Sequence, residues 1–226
     1  QGLRLYRYQN GDIFKGRLDR ENKRQGSGVY TEHRMGAVYN GDWRDSKRHG
    51  VGHLRLASGA EYSGEFFEDK IHGQGSLTLI DGTVYTGSLF NGLFHGRGML
   101  EDESHHRVYF GEFENGERSG QGEETLPDGA RYKGEYKRGK RNGRGTLLDP
   151  SGSELYAGDW NEDLRHGKGR LSQHCHGESS DGQEGSYEGD FFQDKFSGNG
   201  RYTYADRTSI EGQWLDDIPR DGDWTI

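Results

Sequence analysis

Apolar and polar residues alternate along this chain in short runs with a period of two. In Tyr62-Ser-Gly64-Glu-Phe66 an aromatic, a glycine and an aromatic take alternate positions between polar residues, and in Gly73-Gln-Gly75-Ser-Leu77 the spacing returns after a mainly polar link. Such alternation places Tyr62, Phe66 and Leu77 on one face of a β-strand pair. Two runs joined by a few polar residues predict a β-hairpin.

That hairpin is one of a series. Runs open at Phe14, Tyr39, Tyr62, Tyr85, Tyr109, Tyr132, Tyr156 and Tyr187, each with glycine two residues on and Leu18, Trp43, Phe66, Leu89, Phe113, Tyr136, Trp160 and Phe191 two beyond. The return runs carry Gly26/Gly28, Gly50/Gly52, Gly73/Gly75, Gly96/Gly98, Gly120/Gly122, Gly143/Gly145, Gly167/Gly169 and Gly198/Gly200. The fifth places Glu124 where the others have Leu or Tyr. Openers are 25, 23, 23, 24, 23, 24 and 31 residues apart, a spacing that marks a repeat array. A half-repeat occupies residues 1–13, and a degraded ninth copy opens at Ile210-Glu-Gly212-Gln-Trp214. The long last step comes from a Ser-, Gly- and acid-rich stretch, 172–186, which reads as a loop insertion. Asn10-Gly11, Ser58-Gly59, Asp81-Gly82 and Asp128-Gly129 are turn signals between repeats.

Tyr-x-Gly-x-Trp/Phe followed by Gly-x-Gly-x-Leu, held in register eight times across about residues 1–214, resembles the MORN (membrane occupation and recognition nexus) repeat family. The resemblance supports the fold expected from the pattern. That fold is all-β: a single array over residues 1–226 in which eight hairpins give sixteen strands of one elongated, twisted antiparallel sheet, curled into a half-pipe. The resemblance also implies non-enzymatic roles: scaffolding of cytoskeletal and ciliary assemblies, capture of partner segments in a groove, self-association, and tethering of catalytic domains. Two other readings follow from the family: binding to phosphoinositides or a membrane surface, and regulation of a catalytic domain such as a lysine methyltransferase outside this chain. Residue 1 is Gln, and Leu3-Arg-Leu5 looks like the tail of a preceding repeat, so the chain reads as a piece of a longer protein.

Composition sharpens this picture. Hydrophobic residues make up 28% and mean hydropathy is −1.13, too little for a thick core, yet 12% aromatics at regular spacing argue against disorder. Glycine reaches 39 residues. Glycine in strands costs roughly 0.5–1 kcal/mol each relative to alanine, so aromatic rings lying over the glycine Cα atoms are expected to offset it. The first sixty residues carry 12 Lys and Arg against six Asp and Glu, whereas from Asp149 onward 17 acids face seven bases. Ends of opposite sign suit salt-sensitive self-association. One cysteine, no Asn-x-Ser/Thr sequon, no signal peptide and no apolar run of spanning length suggest a cytoplasmic protein, associated with cytoskeleton or cilium and at most peripheral at a membrane.

Catalytic and cofactor signals are weak. His174-Cys175-His176 has thiolate and imidazole ligands, but three adjacent residues cannot converge on one ion, so no metal is expected. His49, His72, His95 and His166 precede Gly-x-Gly at positions held elsewhere by Gln25, Ser119, Asn142 and Ser197, which suggests polar caps for a turn. No glycine run has the phosphate-loop form. A net charge of −8 argues against nucleic acid, and neither cofactor nor enzyme activity is expected.

Two surfaces are candidates for binding. If the sheet curls towards its glycines, Tyr39, Trp43, Tyr62, Phe66, Tyr85, Leu89, Tyr109, Phe113, Tyr132 and Tyr136 floor a concave groove suited to a helical or extended protein segment. The competing reading is that packing over glycine consumes these rings, leaving their edges and a charged rim. Arg131, Lys133, Lys137, Arg138, Lys140, Arg141 and Arg144 form the stretch best suited to weak contact with anionic lipid.

Overall fold

The computed structural model describes residues 3–172 and 185–220. Among them are 19 strands and no helix, in one antiparallel sheet that does not close on itself. Sixteen strands are those expected. The others are Arg4–Arg7 from the half-repeat and Ser209–Leu215 with Ile218–Pro219 from the degraded ninth copy, which is a hairpin despite its weak pattern. The chain divides into two compact units, Gln1–Gly116 and Glu117–Ile226.

The first unit's hairpin Glu61–Phe67 with Lys70–Thr78 shows how a repeat is built. Gly64 pairs with Gly75 and Tyr62 with Leu77, then the register jumps so that Phe66 faces Ile71. The return strand thereby holds two extra residues at a bulge. Gly73 sits in that bulge with φ +66°, a left-handed conformation that glycine adopts without penalty. The turn at Glu68-Asp69, with φ of 47° and 69°, matches the two-residue primed turn that follows strand twist.

Glycines continue from hairpin to hairpin. In the first unit Gly28, Gly41, Gly52, Gly64, Gly75, Gly87, Gly98 and Gly111 pair in succession across eight strands. In the second the row runs through Gly122, Gly134, Gly145, Gly158, Gly169, Gly189, Gly200 and Gly212. Tyr39, Tyr62, Tyr85, Tyr132, Tyr156 and Tyr187 each lie over the glycine pair of their own hairpin. A Cβ on Gly75 would come within 2.4 Å of the Tyr62 hydroxyl oxygen, and one on Gly145 within 2.2 Å of that of Tyr132. Ring over glycine, inferred from composition, is therefore the packing rule.

The aromatic layer is continuous in the second unit, and in the first Leu89 takes the place of one ring. Phe66 meets the rings of Tyr39 and Tyr62 edge-on at 5.0 and 5.2 Å between centroids. In the second unit Trp160 does the same with Tyr132 and Tyr156, at 5.3 and 5.1 Å. Such edge-to-face pairs add about 0.5–1.5 kcal/mol each beyond their buried area, which offsets the glycine cost.

Candidate functional site

The ring face is core. Tyr39, Trp43, Tyr62, Phe66, Tyr85, Leu89, Tyr109, Phe113, Tyr132 and Tyr136 are all buried, none more than 5% exposed. Their polar atoms are engaged as well. The hydroxyls of Tyr39, Tyr62, Tyr85, Tyr109 and Tyr132 donate to the carbonyl oxygen three residues on, at 2.7–3.1 Å. The Trp43 and Trp160 Nε1–H groups donate to the Gly28 and Gly145 carbonyls at 3.1 Å. Burial pushes the Tyr39, Tyr62 and Tyr85 phenols up to about 12.

The groove lies on the other face. In the second unit a groove of about 1250 Å³ is lined by Gln121, Lys133, Glu135, Arg144, Thr146, Ala157, Lys168, Arg170, Glu188, Asn199, Arg201 and Glu211, with the glycine row between them. Neither Tyr132 nor Tyr136 lines it. This corrects the expectation that the sheet folds its rings into the concave side. Close-packed rings fill one face and take the space the glycine side chains would occupy, while the groove lies on the other face, where residues of opposite strand parity stand beside the glycine backbone.

Two rows of side chains wall this groove. Lys133, Thr146, Ala157, Arg170, Glu188, Arg201 and Glu211 pair in succession across the strands. On the far side of the glycines, the carboxylates of Glu135, Asp159 and Asp190 accept the N–H groups of Arg144, Lys168 and Asn199 at 2.9–3.0 Å, closing the bulges. The equivalent row in the first unit carries Lys15, Val29, Asn40, His53, Ser63, Ser76, Thr86, Met99 and Phe110, so it is mostly uncharged where that of the second is mostly charged. These positions follow each opening Tyr and each second glycine. Strand parity alone identifies them, but their variable chemistry gives no repeating signal.

The basic stretch is dispersed. Lys133 and Arg144 line the groove, whereas Lys137, Arg138 and Lys140 surround the tip of their hairpin. Arg141 is folded inward. Its guanidinium carbon stands 4.4 Å from the Trp160 ring centroid, Nε donates to Asp163 Oδ1 at 3.2 Å, and NH2 reaches the Asp163 carbonyl at 3.1 Å. Arg131 is half-buried. Arg48 and Arg165 repeat the Arg141 arrangement with Asp69 and Asp194, each tying its strand to the tip of the next hairpin.

The histidines before Gly-x-Gly meet rings, not turn backbone. His49 and His72 flank Phe67 at 5.3 and 6.0 Å, and His72 and His95 flank Phe90 at 5.1 and 5.8 Å. His166 meets Phe192 at 5.3 Å. Gln25 at the equivalent position bonds the Asp19 and Asp45 carboxylates. His174-Cys175-His176 and most of the 172–186 insertion lie outside the described residues.

A chain of hairpins, most of them capped by tyrosine over paired glycines and several clipped to the next by arginine, is a β-hairpin repeat array. The MORN repeat model matches residues 20–31, 39–61, 62–84, 85–107, 109–131, 132–154, 156–172 and 187–209, and the chain belongs to the MORN repeat family. The first match begins after Phe14, and the last ends before the Ile210 hairpin. No curated protein matches the chain. Among solved structures it is similar to the TCP domain of SAS-4 (dCPAP) of Drosophila melanogaster, determined in complex with a proline-rich motif of Ana2 (dSTIL). The identity is 14%, over 68% of this chain and 82% of that one, with a TM-score of 0.43.

Proposed function

We propose that the chain is a non-enzymatic scaffold or adaptor that seats a segment of a partner protein in its groove, in a cytoplasmic assembly of cytoskeletal or ciliary type. The observation that carries this reading is the groove of the second unit: side chains wall it on both sides and its floor is glycine backbone. Such a recess admits a polypeptide close to the sheet. Membership of a family of interaction modules supports the same class of function.

A photo-crosslinking residue at Ala157, inside the groove, tests it. Capture of a defined protein segment there, absent when the crosslinker is moved to the hairpin tip at Arg138, is the expected result. Capture only at the tip, or capture of lipid alone, would turn the reading towards the membrane alternative. That alternative rests on Lys137, Arg138 and Lys140 at one tip, and it loses Arg141 to the aromatic layer.

A further inference from the structure

We propose that the groove of the second unit, from strand Arg131–Lys137 to strand Leu164–Leu171, selects an extended acidic protein segment through Lys133, Arg144, Lys168 and Arg170. The proposal rests on the groove being a protein-binding surface and adds the chemistry of what it holds.

Charge is the first argument. The four cations converge on this part of the groove, where Glu135 is the one carboxylate among the lining residues of these strands; Glu188 on the next strand pairs across from Arg170, Glu123 on the preceding strand pairs across from Lys133, and Glu211 lies further along. Glu135 is committed, since its Oε1 accepts the Arg144 N–H at 3.0 Å. Asp159 accepts the Lys168 N–H in the same way. These carboxylates are held by the bulges, with part of their charge already met by peptide dipoles. Arg144, Lys168 and Arg170 do pair with Asp159, Asp190 and Glu154 at 3.4, 2.7 and 2.8 Å, yet their side chains stay 83%, 70% and 58% exposed. Exposed pairs of this kind are weak and exchange readily for an arriving carboxylate. From Asp149 onward the chain is acidic overall, so a local cationic recess focuses anionic ligands where the net charge would repel them.

Geometry is the second. Lys133 and Arg170 are three strand spacings apart along one wall, roughly 14 Å at 4.8 Å per strand. Carboxylates at alternate residues of an extended chain lie about 6.8 Å apart on one face, so positions i and i+4 span that distance. Small residues between the cations, Thr146 and Ala157 over Gly145 and Gly158, leave room for a backbone. A flat bilayer does not follow a recess, whereas a single chain does.

Fluorescence anisotropy of the whole 226-residue chain with labelled peptides of alternating Glu-Gly, Lys-Gly and Ser-Gly decides the matter. The Glu peptide should bind, with affinity that falls as salt rises. Lys168→Glu combined with Arg170→Glu should weaken it at least tenfold with an unchanged circular dichroism spectrum, and the milder Lys168→Gln with Arg170→Gln should fall between. Binding of the Glu peptide unaffected by either pair overturns the proposal. Equal or tighter binding of the Lys or Ser peptide, lost on substitution in the groove, overturns the acidic specificity but leaves the groove as a protein site. No binding by any peptide, with phosphatidylserine vesicles retained through the same cations, overturns both.

Discussion

The Tyr62 hydroxyl donates to the Glu65 carbonyl oxygen at 3.0 Å, while the Glu65 carboxylate accepts the Gln74 N–H of the return strand, also at 3.0 Å. One residue thus anchors the ring on one face through its backbone and closes the bulge at the hairpin's edge through its side chain. Gly64 and Gly75 make this possible, because the ring occupies the space their side chains would take. Gly75→Ala should therefore be costly. Its backbone is in an ordinary strand conformation, so the loss is steric: the new methyl falls 2.4–2.6 Å from three Tyr62 atoms. Displacing a packed ring costs about 1–3 kcal/mol, readable as a lower denaturation midpoint. Unchanged stability would mean that the ring can leave its glycine pair without loss.

Alkaline pH should act on the same contacts. Burial raises the Tyr39, Tyr62 and Tyr85 phenols from 10.0 to about 12. An acid whose folded pKa is raised favours folding while it stays protonated. The stability these tyrosines contribute is complete below pH 10 and is lost as pH climbs from 10 towards 12. Tyrosinate absorbance and circular dichroism followed together should change in one cooperative step. Smooth titration of all tyrosines near pH 10, with the fold intact, would contradict the burial.

The fold was legible because its two demands repeat. Every opener needs a ring and every pairing needs glycine, so Tyr62, Gly64, Gly75 and their equivalents recur in register. The side to which the sheet bends was not legible. Alternation separates two faces but does not say which becomes concave, and the face of Lys133 and Arg170 carries the groove in the second unit. The carboxylates of Asp42, Glu65, Glu135, Asp159 and Asp190 recur just after the strand glycine; that signal was present, and what it lacked was the bulge that gives it meaning. Arg141 reads in sequence as part of a basic run, because nothing in a run of charges shows which member stacks on Trp160.

That stacking gives Arg141 a measurable role. Arg141→Lys keeps the charge but loses the planar contact with Trp160 and the fork that reaches both Asp163 Oδ1 and the Asp163 carbonyl. A loss of about 1–2 kcal/mol is expected. Lys137→Ala, an exposed neighbour in the same basic stretch, should change stability by about 0.5 kcal/mol or less. Equal effects in the two variants would remove the distinction between clip and surface charge.

Glu124 is the position where the repeat breaks its own pattern, and the structure supplies its partners. Only 5% exposed, it accepts from Arg118 NH1 at 2.6 Å and from the Tyr136 hydroxyl at 3.0 Å. Tyr136 stands where other repeats have Trp, Phe or Leu, so the two departures compensate each other. Burial, with the Glu124 charge beside it, pushes the Tyr136 phenol far up. Glu124→Leu alone leaves that hydroxyl without this acceptor and Arg118 without this carboxylate, and breaking a buried pair of this kind costs about 3 kcal/mol. Tyr136→Phe alone strands part of the carboxylate and costs about 1–2 kcal/mol. Glu124→Leu with Tyr136→Phe restores the side chains of a regular repeat, and Arg118 keeps its bond to the Gly139 carbonyl at 2.7 Å. The double variant should then be less destabilised than the sum of the single losses, because the Tyr136 hydroxyl and its acceptor leave together, while Arg118 still lacks its carboxylate. Denaturant titrations of the four proteins close the cycle. If the double variant loses the sum of the single losses, the two residues act independently and the compensation does not exist.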